Sequence, residues 1–325
     1  MRVAVMDDWQ GVARGSTDWS ALEARAEVVV LGGAFADEDA AVAALAGFDV
    51  IIPMRERTEI TAALVRRLPR LRMIAQTGTR AQTMDLEACT AAGVLVCNTG
   101  GERSSRGTAE LALALLLAAA RFVPQGDAAI RAGRFQDGVG VGPVLHGLTL
   151  GIIGFGRIGA MMGAYGRALG MEVLAWSPNL TAEKAEAGGA MLVGRDELLA
   201  RSDAVSLHVV LSARSRGMLG AAELARMKPG AILVNTSRGP LVDEAALLAA
   251  LRADRIRAAL DVFDREPLPA DAAIRTAPNT VLTPHLGYGT SDTFRQFYGE
   301  SVENVLAFLD GAPIRMVNPA AVGAQ

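Results

Sequence analysis

Three polar residues stand where short apolar runs give way to turns, and their types suit acid–base work on a small carboxylic acid. Arg238 lies in Asn235-Thr-Ser-Arg-Gly, Glu266 in Asp261-Val-Phe-Asp-Arg-Glu-Pro, and His285 in Thr283-Pro-His-Leu-Gly. An arginine presents a planar fork of donors that can clamp a carboxylate through two bonds at once. An imidazole titrates near neutral pH and can give or take a proton. His285 is one of three histidines in the chain and is bracketed by Pro284 and Gly287, a rigid setting for a positioned ring. Pro267 biases Glu266 toward extended backbone and keeps its carboxylate in a loop. Each residue alone has an ordinary reading: a surface arginine near a helix start, a solvated glutamate, a structural histidine. Three successive strand ends offering Arg, Glu and His change that balance, because strand carboxyl ends in an open α/β sheet face one crevice.

A second constellation is the run Thr149-Leu-Gly-Ile-Ile-Gly-Phe-Gly-Arg-Ile-Gly159. Leu150, Ile152 and Ile153 read as a buried strand, and Gly154, Gly156 and Gly159 follow in G-x-G-x-x-G spacing. Gly154 permits the tight turn, Gly156 lets backbone approach a phosphate, and Gly159 lets the next helix pack close to the sheet. That helix, from Arg157 to about Leu169, would aim its N-terminal N–H groups at a pyrophosphate. Glycine turns also occur for packing alone; the strand before and the helix after favour a dinucleotide.

The elements that must position these residues alternate along almost the whole chain. Apolar, β-branched runs at 3–6, 28–31, 50–53, 73–76 and 94–97 form one series of expected strands. A second series begins at 150 and continues at 173–176, 204–208, 232–235, 258–262 and 281–283. Continuous apolar strands separated by helices imply parallel sheets covered on both faces. The dinucleotide fingerprint sits near the middle, so a separate domain of similar units precedes it. Residues 107–134 are the expected crossover, and a last helix at 291–310 is expected to return to the first domain. The apolar stretch 111–120 fits an interior helix and a helix buried between domains or at a dimer interface equally well.

With 325 residues, 51% hydrophobic and 21% charged, the composition is that of a globular chain with room for two domains. A net charge of −3 and the lack of a long basic run point away from nucleic acid. Cys89 and Cys97 lack metal-site spacing and read as small buried hydrophobes in a reducing compartment. The N-terminus enters a strand and then acids, unlike a signal peptide. The 111–120 run is far short of the roughly 20 residues of a membrane span. The expectation is a soluble cytoplasmic protein with no metal and no membrane contact.

These motifs resemble the D-2-hydroxyacid dehydrogenase family, which includes phosphoglycerate, hydroxypyruvate/glyoxylate and D-lactate dehydrogenases. The matching segments are Gly151 to Gly159, Leu207-His208, Asn235 to Gly239 with Val242-Asp243-Glu244, Asp261 to Pro267, and Thr283 to Gly287. The N-terminal third matches more loosely, through Gln76-Thr-Gly-Thr79 and Asn98-Thr-Gly-Gly101. The resemblance implies an α/β fold of two Rossmann-like domains, with a cofactor domain (100–288) inserted within a substrate domain (1–99 plus 289–325). It implies an oxidoreductase moving hydride between a nicotinamide cofactor and a small D-2-hydroxy or 2-oxo acid. Arg238 would hold the substrate carboxylate, His285 would protonate the carbonyl oxygen, and Glu266 would pair with His285 and raise its pKa. The cofactor would meet Gly154, Gly156, Arg157, Ile158, Gly159, Ser177, His208, Thr236 and Ser237, with Asp261 beside the nicotinamide carboxamide. Backbone N–H groups around Thr77, Gly78 and Thr79 would take the other side of the substrate. His146 reads as a surface residue. Relatives are usually homodimers through the cofactor domain.

The chain departs from the family pattern in three places. The second strand of the cofactor domain ends in Trp176-Ser177-Pro-Asn179, without the acid that NAD enzymes place on the ribose. Nor does an arginine follow to attract a 2′-phosphate, so NAD and NADP both stay open, NAD being favoured. Arg80 in the substrate loop can read an acidic substrate tail or simply be solvated. Leu286-Gly-Tyr288 replaces a run of small residues and reshapes the pocket. A cofactor-sensing regulator of the corepressor kind on the same fold is the alternative function. An enzyme acting on formate is a closer rival, opposed by Glu266, where that subgroup has glutamine.

Overall fold

The computed structural model describes residues 1–79 and 83–324, so Arg80 lies outside the described residues. The chain divides into two units, Met1–Arg103 with Thr290–Gln325, and Ser104–Gly289. Each is an α/β layer structure around one parallel sheet.

The first unit carries β1 (Arg2–Val5), β2 (Glu27–Val30), β3 (Val50–Ile52), β4 (Met73–Gln76) and β5 (Leu95–Asn98), in the spatial order β2-β1-β3-β4-β5. Val3 of β1 stands between Val28 and Val50, and all pairs are parallel. Ala4, Ile51, Ile74 and Val96 alternate onto a face covered by Leu45 of helix Glu38–Leu45 and Leu64 of helix Ala62–Arg66. Those helices start at Asp37 and Thr61, whose side-chain oxygens accept from backbone N–H groups of the first turn. Helix Ser291–Leu309 belongs to this unit and buries Phe297 and Tyr298 completely or nearly so. Its Gln296, Glu300 and Asn304 recur every four residues and so share one face. Glu300 Oε2 accepts from Gly100 N–H at 2.5 Å, and Asn304 Nδ2 donates to Asn98 O at 2.9 Å, which holds the exit of β5.

The second unit carries β6 (Thr149–Ile153), β7 (Glu172–Trp176), β8 (Met191–Leu192), β9 (Ala204–Leu207), β10 (Ala231–Asn235), β11 (Ile256–Leu260) and β12 (Thr280–Leu282). Their order is β12-β11-β10-β9-β6-β7-β8, again parallel throughout, and the direction of winding reverses between β6 and β9. Every residue of β6 and β10 is buried, as a sheet covered on both faces requires. Two-residue β8 lies inside the short apolar run 190–193, which the strand series omitted; its Met191 is exposed, as suits an edge strand.

The helix containing the 111–120 stretch runs Glu102–Arg121 and breaks at Phe122, whose φ is +54°, before Val123–Arg131. Ala112, Leu115, Leu116, Ala119 and Ala120 pack with Leu150, Ile152 and Val173 in the core of this unit. The interior reading of that stretch therefore holds, and its apolarity serves the sheet. Among the described residues no single helix is long and apolar enough to cross a membrane; only this bent pair, at 64°, passes on length and composition together.

Candidate active site

The carboxyl ends of β10, β11 and β12 bring the three candidate residues into one constellation in the second unit. His285 Nδ1 and Glu266 Oε2 are 2.5 Å apart, and both side chains are about three-quarters buried. Glu266 Oε1 also accepts from Phe263 N–H at 2.9 Å, so the carboxylate is fixed at both oxygens. Burial alone would lift the Glu266 carboxyl. The hydrogen bond to His285 and the charges of His285 and Arg238 outweigh burial and hold it below the usual carboxylate range. A charge-assisted pair of this kind leaves Nε2 as the ring nitrogen available to a substrate.

Arg238 reaches this place because Asn235 shapes the turn after β10. Asn235 Nδ2 donates to Arg238 O at 2.9 Å, and its Oδ1 accepts from Ser237 N–H at 3.0 Å. Gly239 then passes so close to the next loop that a Cβ would stand 2.1 Å from the Phe263 carbonyl carbon. Glycine is thus what allows the Arg238 turn and the Glu266 loop to touch. Asp243 caps helix Glu244–Arg252, accepting from Ala246 N–H at 2.8 Å.

Asp261, expected beside the nicotinamide carboxamide, has partners within its own unit. It is fully buried, and its Oδ1 accepts from Thr283 Oγ1 at 2.6 Å and Leu286 N–H at 2.7 Å, while Oδ2 accepts from Gly287 N–H at 2.8 Å. Its carbonyl accepts from His285 N–H at 2.8 Å. Burial raises its pKa against these bonds and the charge of His285. The carboxylate is enclosed by the turn that carries His285, whose φ is +53°, and holds that residue in a backbone region most side chains avoid. The Tyr288 ring meets the His285 ring edge-on at 5.5 Å between centroids, on the side the sequence singled out.

The fingerprint glycines occupy the turn between β6 and helix Arg157–Ala168, at the reversal of winding. Gly154 has φ +97°, and a Cβ there would lie 2.4 Å from His208 O. Gly159 backs onto Gly154 O at 2.1 Å in the same sense, whereas a Cβ on Gly156 would meet nothing within 4 Å. Gly156 is the helix N-cap and supplies no side-chain cap, so the first-turn N–H groups of Arg157, Ile158 and Gly159 face the open side of the glycine turn. Two nearly dehydrated polar atoms on neighbouring strand ends, His208 Nδ1 and Thr236 Oγ1, have no hydrogen-bond partner. An open cradle at a helix N-terminus with unfilled polar atoms beside it fits a dinucleotide.

The remaining cofactor candidates have partners of their own. Ser177 Oγ accepts from Phe155 N–H at 2.7 Å and so braces the glycine turn. Ser237 Oγ donates to Leu207 O at 2.8 Å and ties the ends of β9 and β10 together. His208 Nε2 lies 2.8 Å from Ser206 Oγ, and burial lowers its pKa to about 4, so the ring is neutral at pH 7. His146 is exposed.

In the first unit two of the three substrate-loop candidates already have partners. Gly78 N–H donates to Thr99 Oγ1 at 2.7 Å and is not offered to a ligand. Thr77 is fully buried, its hydroxyl donating to Pro53 O at 2.9 Å and accepting from Arg55 N–H at 2.8 Å. Thr79 alone of the three is exposed. Sequence reasoning passed over Arg55, whose guanidinium lies against Gly78, and over Asp7; neither belongs to a spaced motif.

Comparison with known proteins agrees with this geometry. The family model for the D-isomer specific 2-hydroxyacid dehydrogenase NAD-binding domain matches residues 113–287. A glyoxylate reductase from Thermococcus litoralis is 40% identical over 270 residues, covering 80% of this chain and 81% of the relative. A D-3-phosphoglycerate dehydrogenase from Archaeoglobus fulgidus is 36% identical over 265 residues, covering 81% of this chain and 50% of the relative. The chain thus spans about half the length of the curated phosphoglycerate dehydrogenases it matches. The crystal structure of a phosphoglycerate oxidoreductase from Vibrio cholerae superposes with a TM-score of 0.91 at 35% identity, covering 96% of this chain and all of that one. The glycine cradle and the Arg, Glu and His strand ends fall within or beside the matched region, and the chain belongs to the D-isomer specific 2-hydroxyacid dehydrogenase family.

Proposed function

We propose that the protein is a nicotinamide-dependent dehydrogenase interconverting a small D-2-hydroxy acid and its 2-oxo acid. The observation that carries the reading is the 2.5 Å His285–Glu266 pair, with the charge of Arg238 acting on the same carboxylate. A dinucleotide would be held by the turn of Gly154, Gly156 and Gly159 and the N-terminus of helix Arg157–Ala168, and when bound would supply the hydride chemistry at the substrate's C2. His285 donates a proton from Nε2 to the carbonyl oxygen during reduction and takes it back during oxidation. Glu266 stabilises the protonated ring and fixes its orientation. Arg238 binds the carboxylate, aligns C2 and withdraws electron density from the adjacent carbonyl. The unit Ser104–Gly289 takes the cofactor, and the loop around Thr79 is the candidate substrate loop.

Both cofactors remain candidates, with NAD preferred. The end of β7 offers neither a carboxylate to accept ribose hydroxyls nor an arginine to take a 2′-phosphate, and Ser177 is engaged with Phe155. A homodimer through this unit is supported by the exposed Phe135 and Val141, at 73% and 95% of full exposure, in the segment after helix Val123–Arg131. The buried, unbridged Cys89 and Cys97 suit the cytoplasm. The test is a panel of 2-oxo acids, glyoxylate, hydroxypyruvate and pyruvate among them, with NADH and NADPH. Substrate-dependent oxidation of either cofactor is expected. Cofactor binding without turnover on any acid would instead favour the corepressor-like regulator.

A further inference from the structure

The first unit reverses its winding between β1 and β3, and neighbouring strand ends at such a point are where open α/β sheets take ligands. Asp7 follows β1 at that place, with φ +59° and no solvent exposure. Its Oδ1 accepts from Thr58 Oγ1 at 2.9 Å, and its carbonyl accepts from Arg57 Nη1 at 2.6 Å. The Arg57 guanidinium lies 4.3 Å from the centre of the Trp9 ring. One residue after β1 therefore grips the turn after β3 by side chain and main chain together. Asp8 faces elsewhere: its carboxylate accepts from Val12 and Ala13 N–H.

The gripped turn fixes the next one in the sheet. Arg55, at φ +56°, donates its N–H to Thr77 Oγ1, and its carbonyl accepts from Gln76 Nε2 at 3.0 Å. Its side chain lies across Gly78, and Gly78 is tied in turn to Thr99. A continuous series of contacts runs from Asp7 through residues 55–58 to residues 76–79. The plain alternative is a buried acid that only stabilises the fold. Against it, Asp7 Oδ2 and the nearby Trp9 Nε1 and Gln76 Oε1 are all buried without a hydrogen-bond partner. Two non-glycine residues in the left-handed region on one short path are strain of about 1–3 kcal/mol each, which accumulates at ligand-binding segments.

We propose that Asp7 is a positioning residue for substrate binding: it sets the 55–58 turn and, through it, the loop of Thr77, Gly78 and Thr79. The inference rests on the 2-oxo acid reading above. Burial lifts the Asp7 carboxyl to about 6, against the Thr58 hydroxyl, the charge of Arg57 and the Met54 N–H, all from the segment after β3. Below that pH the side chain is neutral and a weaker acceptor for Thr58, so the grip on the turn loosens.

The experiment compares parent, Asp7→Asn and Thr58→Val with the best 2-oxo acid of the panel at pH 7.5 and 5.5. Cofactor affinity is read separately from nicotinamide fluorescence. Asp7→Asn is expected to raise KM about tenfold at pH 7.5, the worth of one charge-assisted hydrogen bond, with kcat and cofactor Kd nearly unchanged. The parent KM should rise toward the variant's at pH 5.5, while the Asp7→Asn KM changes less. Thr58→Val should move KM in the same direction by a smaller factor, and it decides the question if Asp7→Asn does not fold. A parental KM in the variants at both pH values overturns the proposal. So does an equal loss of kcat, KM and cofactor binding, the signature of general damage. A parent that reduces no 2-oxo acid overturns the functional reading itself, a distinct result.

Discussion

Both sheets reverse their winding once, between β1 and β3 in the first unit and between β6 and β9 in the second, yet the two places are built from different materials. At β6/β9 backbone meets backbone: Gly154 lies against the carbonyl of His208, closer than any side chain permits. At β1/β3 side chains do the joining, Asp7 to Thr58 and Arg57 over Trp9. A contact that only glycine allows leaves a spaced signature in the sequence. A contact made by polar side chains fifty residues apart leaves none. The same contrast separates the strand ends further along. Arg238, Glu266 and His285 are visible because Pro and Gly flank them, whereas the Asp7 network is visible only in three dimensions.

The largest effect expected is at the proton-transferring pair. His285→Ala should lower turnover by roughly 10²–10⁴, the usual contribution of a general acid–base group. Cofactor affinity should survive, because the glycine cradle lies on other strands of the sheet. Turnover within a few-fold of the parent would remove His285 from the chemistry and leave the second unit's strand ends no more functional than the first's.

The glycine contrast can be tested directly. Gly154→Ala places a Cβ 2.4 Å from backbone at φ +97°, so the turn itself must move. Gly78→Ala is also at positive φ, +81°, but the atoms it meets are the end of the Arg55 side chain, which can swing away. Gly154→Ala should destabilise by about 2–4 kcal/mol and weaken cofactor binding, and Gly78→Ala by about 1–2 kcal/mol. Equal losses in thermal unfolding would erase the distinction between a turn closed by backbone and one closed by a side chain.

Glu266→Gln keeps the shape of the pair and removes its charge. The carboxyl's lowered pKa means that its charge and that of the protonated ring favour each other in the fold, an advantage present at neutral pH and lost as pH falls through the carboxyl's own titration. Without that charge the protonated imidazole is less favoured. Reduction should then decline at a lower pH than in the parent, where the ring loses its proton. Superimposable pH–rate profiles would reject the pairing despite the 2.5 Å contact. Ser177→Asp should act more gently, shifting preference toward NAD by repelling a 2′-phosphate; an unchanged NAD/NADP ratio would place the ribose elsewhere.

How much was legible follows the same division. Strands with continuous apolar runs were placed within about two residues, because a doubly covered parallel sheet demands unbroken hydrophobicity; β4 spans Met73–Gln76 as read. Two-residue β8 lies in an apolar run of only four residues, 190–193, and was passed over. Arg238, Glu266 and His285 were legible through turn chemistry and family resemblance. The bracing work of Asp261 was not: nothing in the sequence says that a strand-end acid accepts from Thr283, Leu286 and Gly287 and so holds the His285 turn. The partners of Thr77 and Gly78 were equally invisible, since a loop's sequence does not say which of its polar groups are already bonded.

The smallest effect expected concerns His208, the residue that faces Gly154 across the second reversal. Burial holds its pKa near 4 in the fold, against 6.5 for a free imidazole, and Nδ1 is out of water although the residue as a whole is only half-buried. Between those values the unfolded chain takes up a proton that the folded chain refuses, so the parent loses stability as pH falls from 6.5 toward 4. Below about 4 both states are protonated and the loss is complete. His208→Asn has no proton to take up over that range. Its stability should therefore fall less than the parent's between pH 7 and pH 4.5, by about 1–2 kcal/mol after allowance for partial solvent access. Chemical denaturation at the two pH values measures the difference without cofactor present. If parent and variant lose stability in parallel, the ring accepts its proton in the folded state. The β6/β9 reversal would then be as wet and as adjustable as a surface turn, and the contrast with the enclosed Asp7 of the first unit would run the other way.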